Sequence, residues 1–72
     1  MGRELIFEID CGEEDPFIVS YNVCDLSDEF GLDILAKIVD SQNLVRVTVY
    51  DATTSDAIEM LNELRMDYAR VD

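Results

Sequence analysis

No histidine occurs in this 72-residue chain, and Lys and Arg together number five against 17 Asp and Glu. The first absence removes the usual general base, and with it His-containing triads and zinc–imidazole sites. No glycine-rich phosphate loop and no G-x-S-x-G turn is present, which excludes phosphate cradles and nucleophile elbows of those types. Carboxylates alone can serve as a glycosidase pair. A chain this short, however, leaves little room for a substrate cleft of roughly several hundred Å3. The composition predicts a protein that is not an enzyme and takes no cofactor.

Long apolar runs are missing too. Nothing approaches the roughly 18 apolar residues of a bilayer span. Met1-Gly2-Arg3-Glu4-Leu5-Ile6 leads directly into a strand-like segment, without a signal-peptide core or cleavage site. Position 6 is Ile rather than the Ser or Thr of a myristoylation signal. The net charge of −12 opposes approach to an anionic membrane and direct binding to nucleic acid. A cytoplasmic location with no membrane partner is expected.

Cysteine is scarce, limited to Cys11 and Cys24. If residues 4–10 and 17–23 form a hairpin, the matched apolar faces separate the two thiols by more than about 20 Å, beyond the ~7 Å between Cα atoms that a disulfide needs. Two free thiols are expected, consistent with a reducing compartment. Neither Glu13-Glu14-Asp15 nor Asp25-x-x-Asp28-Glu29 has the alternating ligands, central Gly and terminal Glu of a calcium loop. The cysteines lack companions for zinc. No metal site is predicted.

What the chain does have is aliphatic content. At 49% hydrophobic residues it differs from disordered acidic tails, and its length allows one domain over residues 1–72. Period-two alternation predicts strands at 4–10 (Leu5, Phe7, Ile9), 17–23 (Phe17, Val19, Tyr21, Val23) and 44–50 (Val45, Val47, Val49). A helix is predicted over 26–40, with Ser27 as N-cap, Asp28 and Glu29 in its first turn, and a stripe of Phe30, Ile34, Leu35 and Ile38. A second helix over 54–70 begins at Thr53-x-x-Asp56, which resembles a capping box, and buries Ala57, Leu61, Leu64, Tyr68 and Val71. The expected fold class is α+β in the order ββαβα. Its sheet has three strands, mixed or antiparallel, with both helices on the valine-rich face.

The acids fall into groups. Asp56, Glu59, Glu63 and Asp67 are spaced three or four residues apart, so on a continuous helix all four share one face. Like charges at this spacing cost a few tenths of a kcal/mol per pair, and the single lysine, Lys37, lies elsewhere. A helical turn advances about 5.4 Å, so such a row can imitate a short run of backbone phosphates. Glu13, Glu14 and Asp15, at the predicted hairpin tip, extend the negative surface. Asp28 and Glu29 are accounted for by capping.

A second surface is the outer face of the predicted sheet. Ile6, Ile18, Leu44 and Tyr50 stand there among polar residues, and Arg46 and Tyr50 are types favoured at interface hot spots. Ile6, Ile18, Arg46 and Tyr50 are therefore secondary interface candidates.

In size, acidity and compact α+β pattern the chain resembles, as a class, the small phage-encoded anti-defence proteins, including anti-CRISPR and anti-restriction inhibitors. The resemblance implies an inhibitor that occupies the basic nucleic-acid-binding surface of a partner protein. The alternative expectation is a structural or regulatory interaction module, a small subunit or antitoxin-like partner, docking through its sheet face.

Overall fold

The computed structural model describes residues 4–71. Its elements are β1 (Glu4–Asp10), α1 (Pro16–Phe30), β2 (Asp33–Val39), β3 (Leu44–Tyr50), α2 (Thr54–Asn62) and β4 (Tyr68–Arg70), with a 3-10 turn at Asp40–Gln42. β1 and β3 stand where the alternation places them and pair antiparallel from Glu4 opposite Tyr50 to Asp10 opposite Leu44. Leu5, Phe7, Ile9, Val45, Val47 and Val49 are buried. Both helices cover this face, α1 through Val19 and Val23, α2 through Ala57, Met60 and Leu61.

Residues 17–23 are not a strand. Asp15 caps α1, its carboxylate accepting the Phe17 N–H at 3.0 Å, and Pro16 takes the first helical position, where its missing N–H costs nothing. Gly31 closes the helix in the left-handed region at φ 67°. Its N–H donates to the Asp28 carbonyl, and the Leu32 N–H donates to that of Ser27. The residues that alternate as a strand also satisfy a helix, because Val19 and Val23 lie four apart and face the core with Ser27. Ser27 is thus no N-cap. It is buried, and its hydroxyl donates to the Cys24 carbonyl at 2.7 Å.

The predicted helix over 26–40 is divided. Its first part completes α1, and Asp33–Val39 forms an edge strand, Asp33 opposite Tyr50 and Val39 opposite Leu44. Ile34 and Ile38 suit either structure. The deciding factor is the second edge of β3, whose backbone groups need partners. β2 supplies them and turns Ile34, Ala36 and Ile38 against the core.

α2 starts as predicted, with the Asp56 N–H donating to Thr53 Oγ1 at 3.1 Å, but it ends at Asn62 instead of residue 70. The chain reverses through Arg65 at φ 58° and returns as β4, antiparallel to β1. Tyr68 then packs edge-on to Phe7, ring centroids 6.2 Å apart, and its hydroxyl donates to Asn62 Oδ1 at 2.8 Å. The sheet therefore has four antiparallel strands, not three, in the order β2-β3-β1-β4. The chain order is β-α-β-β-α-β rather than ββαβα, the connectivity of the split βαβ, ferredoxin-like motif.

Candidate functional site

The fold sorts the charges. α1 carries Asp25, Asp28 and Glu29, α2 carries Asp56 and Glu59, and neither helix contains a Lys or Arg. Lys37 and Arg46 lie on β2 and β3, opposite each other in the register and on the face turned away from the helices. Arg46 is engaged there, its guanidinium donating to Glu8 Oε2 at 2.8 and 3.1 Å. Arg70 reaches Thr54 Oγ1 at 3.4 Å, at the start of α2.

This placement changes which acids folding explains. Asp28 and Glu29 sit in the last turn of α1, not the first of a later helix. Negative charge there faces the negative end of the helix dipole and opposes the helix. Asp25 lies three residues from Asp28 and four from Glu29, so the like-charge pairs add to the cost. Asp56 becomes the acid that capping favours, being in the first turn of α2. The stripe expected on one long helix is shortened. Glu59 is exposed on α2 and Glu63 is its C-cap, whereas Asp67 lies in the turn before β4, where its carbonyl accepts the Asp10 N–H.

Glu13, Glu14 and Asp15 are exposed and precede α1 rather than tipping a hairpin. Asp15 is committed to the cap. The loop is held against the β2–β3 connection, with the Cys11 N–H on the Asn43 carbonyl at 3.2 Å and the Asn43 amide donating to the Gly12 carbonyl. The two acidic groups thus bracket the outer surface of α1. Between them, Phe17, Ile18 and Tyr21 are exposed by 69%, 52% and 68%. A strand over 17–23 would turn Phe17 and Tyr21 toward the core and leave no such surface. The signal that could have found it is the Asp15-Pro16 helix start, which puts Phe17 and Tyr21 on one face at i,i+4.

Of the secondary candidates, Ile6, Arg46 and Tyr50 share the open sheet face, being half-buried and alternating with core residues on β1 and β3. Ile18 does not; it is on α1. At one end of the open face Glu8, Asp10, Leu44, Asp67 and Tyr68 border a shallow depression of about 380 Å3. No group of three or more metal-ligating side chains occurs among the described residues.

Both cysteines are free. The expected reason, opposite ends of a hairpin, gives way to a different one: Cys11 is buried beyond the end of β1, whereas Cys24 is exposed on α1. Burial pushes the Cys11 thiol above its ordinary value, and the charges of Asp10 and Asp15 add to the effect. A low-pKa thiolate nucleophile has the opposite environment. No described helix is long and apolar enough to cross a membrane. Comparison with protein-family models, with curated proteins and with solved structures finds no match for this chain.

Proposed function

We propose that the protein is a binding inhibitor whose helix layer occupies a basic, nucleic-acid-binding surface of a partner protein, in the manner of a nucleic-acid mimic. The observation that carries this reading is that every charged residue on both helices is acidic, including Asp28 and Glu29 at the end of α1 where charge of that sign opposes folding. Acids retained at a cost to the helix call for a role outside it. Phe17 and Tyr21, exposed among them, offer rigid apolar anchors inside an acidic rim, the arrangement that concentrates binding energy at interfaces.

Magnitudes fit a nucleic-acid competitor. The long dimension of the molecule is 35 Å, close to one turn of duplex DNA at about 34–36 Å. The net charge of −12 has the sign of the nucleic-acid backbone that a basic channel binds. A basic channel would draw in such a surface by the long-range steering that recruits DNA.

The test is competition. Added to nucleoprotein effectors or restriction-type enzymes, the protein should displace target DNA from at least one, and displacement should weaken steeply from low to moderate ionic strength. Asp25→Lys, Asp28→Lys and Glu29→Lys together, or Glu59→Lys with Glu63→Lys, should abolish it. Displacement that survives both sets of reversals would refute the reading.

A further inference from the structure

β2 is an outer strand of the sheet, and among the described residues no strand pairs with its free edge. Hydrogen-bonding parity tells which backbone groups stand there. On β1 the Asp10 N–H and the Ile6 carbonyl bond toward β4, so even-numbered residues of β1 face β4 and odd-numbered ones face β3. Carried through the register, even-numbered residues of β3 bond to β2. The N–H and C=O groups of Ile34, Ala36 and Ile38 are therefore directed outward. Exposed edges of this kind are templates for another strand, and proteins ordinarily blunt them with proline, a bulge or brevity. β2 has none of these: it runs seven residues, Asp33–Val39, without proline and in unbroken register with β3. The other outer strand, β4, is three residues long.

We propose that the free edge of β2 is a self-association site, where β2 of a second copy adds antiparallel about a two-fold axis perpendicular to the sheet. Outward backbone groups must meet outward ones, so three alignments pair most of the strand, centred on Leu35, Ala36 or Lys37. Centred on Lys37, the two lysines stand against each other. Centred on Ala36, Lys37 lies opposite Leu35 and Asp33 opposite Val39, each charge against an aliphatic side chain. Centred on Leu35, Asp33 lies opposite Lys37 on both sides of the axis, Leu35 meets Leu35, and Ile34 meets Ala36 on the core face. Only this alignment is complementary in charge, polarity and size.

The same alignment covers what the edge leaves open. Leu35, exposed by 57%, is buried at the axis, and Ile34 and Ala36, partly buried against the core, are closed over by their counterparts. The attraction comes from the backbone, where Ile34 and Ala36 exchange both N–H···O bonds at each of two equivalent places. The exposed ion pairs add little strength and act mainly against the wrong alignments. The net charge of −12 on each copy opposes the contact, so association depends on screening and on concentration.

Sedimentation velocity at about 0.15 M salt, over a micromolar-to-millimolar concentration series, should show the mass rising toward twice that of the chain. Lower salt should weaken the dimer, the reverse of its effect on partner binding by the helix layer, so either reading can fail without the other. Lys37→Asp should move the midpoint up by about tenfold. The exchange of Asp33→Lys with Lys37→Asp should restore it, as it would not if the single substitution acted by unfolding the chain. In a Cys24→Ser background, Leu35→Cys should give a disulfide dimer on oxidation, because opposed non-hydrogen-bonded residues have Cα atoms about 4.5 Å apart. Lys37→Cys in the same background should not. A chain monomeric throughout, an exchange variant as weak as Lys37→Asp, no disulfide dimer from Leu35→Cys, or one from Lys37→Cys would overturn the proposal.

Discussion

Cys11 and Cys24 show how position sets chemistry for one residue type. Cys24 is open to solvent on α1, while Cys11 is buried against the β1–α1 loop with a raised thiol pKa. The folded state therefore favours the protonated thiol. Its contribution to stability is fully present below the ordinary value of 9.0 and is lost as pH climbs through the raised one. Urea midpoints should fall as pH rises above 9.0, and the fall should be smaller in Cys11→Ala. Equal slopes in the two proteins would show that Cys11 is not the cause. Gly31 illustrates a residue whose meaning depends on place: inside a helix it is a weakness, whereas after one, at φ 67°, it is the natural stop. Nothing lies within 4 Å of where its Cβ would be, so its role there is conformational freedom alone.

The elements were legible where pattern and context agreed. β1 and β3 follow from alternation, because one face of each must be buried, and the start of α2 follows from Thr53 and its bond to the Asp56 N–H. α1 carries helix signals, Asp15-Pro16 opening it and Gly31 closing it, but Val19 and Val23 fit period two as well as period four. β2 is masked for the converse reason, since Ala36 and Lys37 are good helix formers and only the open edge of β3 claims them for the sheet. Moving these boundaries moved Asp28 and Glu29 from a favourable helix end to an unfavourable one. Asp28→Asn with Glu29→Lys should accordingly raise the melting temperature by about 2–5 °C, read by circular dichroism. An unchanged or lower melting point would mean that these acids carry no folding cost, and the case for an external role would lose its main support.

At the scale of the molecule the charged residues of both helices are all acidic, whereas the open sheet face mixes Glu4, Glu8, Asp10 and Asp33 with Lys37 and Arg46. A domain of this size has a thin stability margin, and self-repulsion from a net charge of −12 reduces it further. Screening should recover part of that loss. Between about 0.01 and 0.15 M monovalent salt, where the Debye length contracts from ~30 to ~8 Å, the melting temperature at fixed low protein concentration should rise by several degrees. The charge-reversed helix variants should respond less. A flat salt response would show that the repulsion is too dispersed to matter.

The amino-acid sequence by itself determined the sign and size of the charge, the absence of histidine chemistry, the two central strands and the α+β class, all of which depend on composition or on short periodic patterns. The tertiary structure alone decided where the charge stands. Residues 17–39 satisfy two periods at once, and only the unpaired edge of β3 and the helix stop at Gly31 select helix then strand. β4, three residues long, is too short to announce itself and exists because β1 has a second edge to fill. With those choices made, the row expected along one long helix becomes an acidic layer over two short ones, with exposed Phe17 and Tyr21 among its charges.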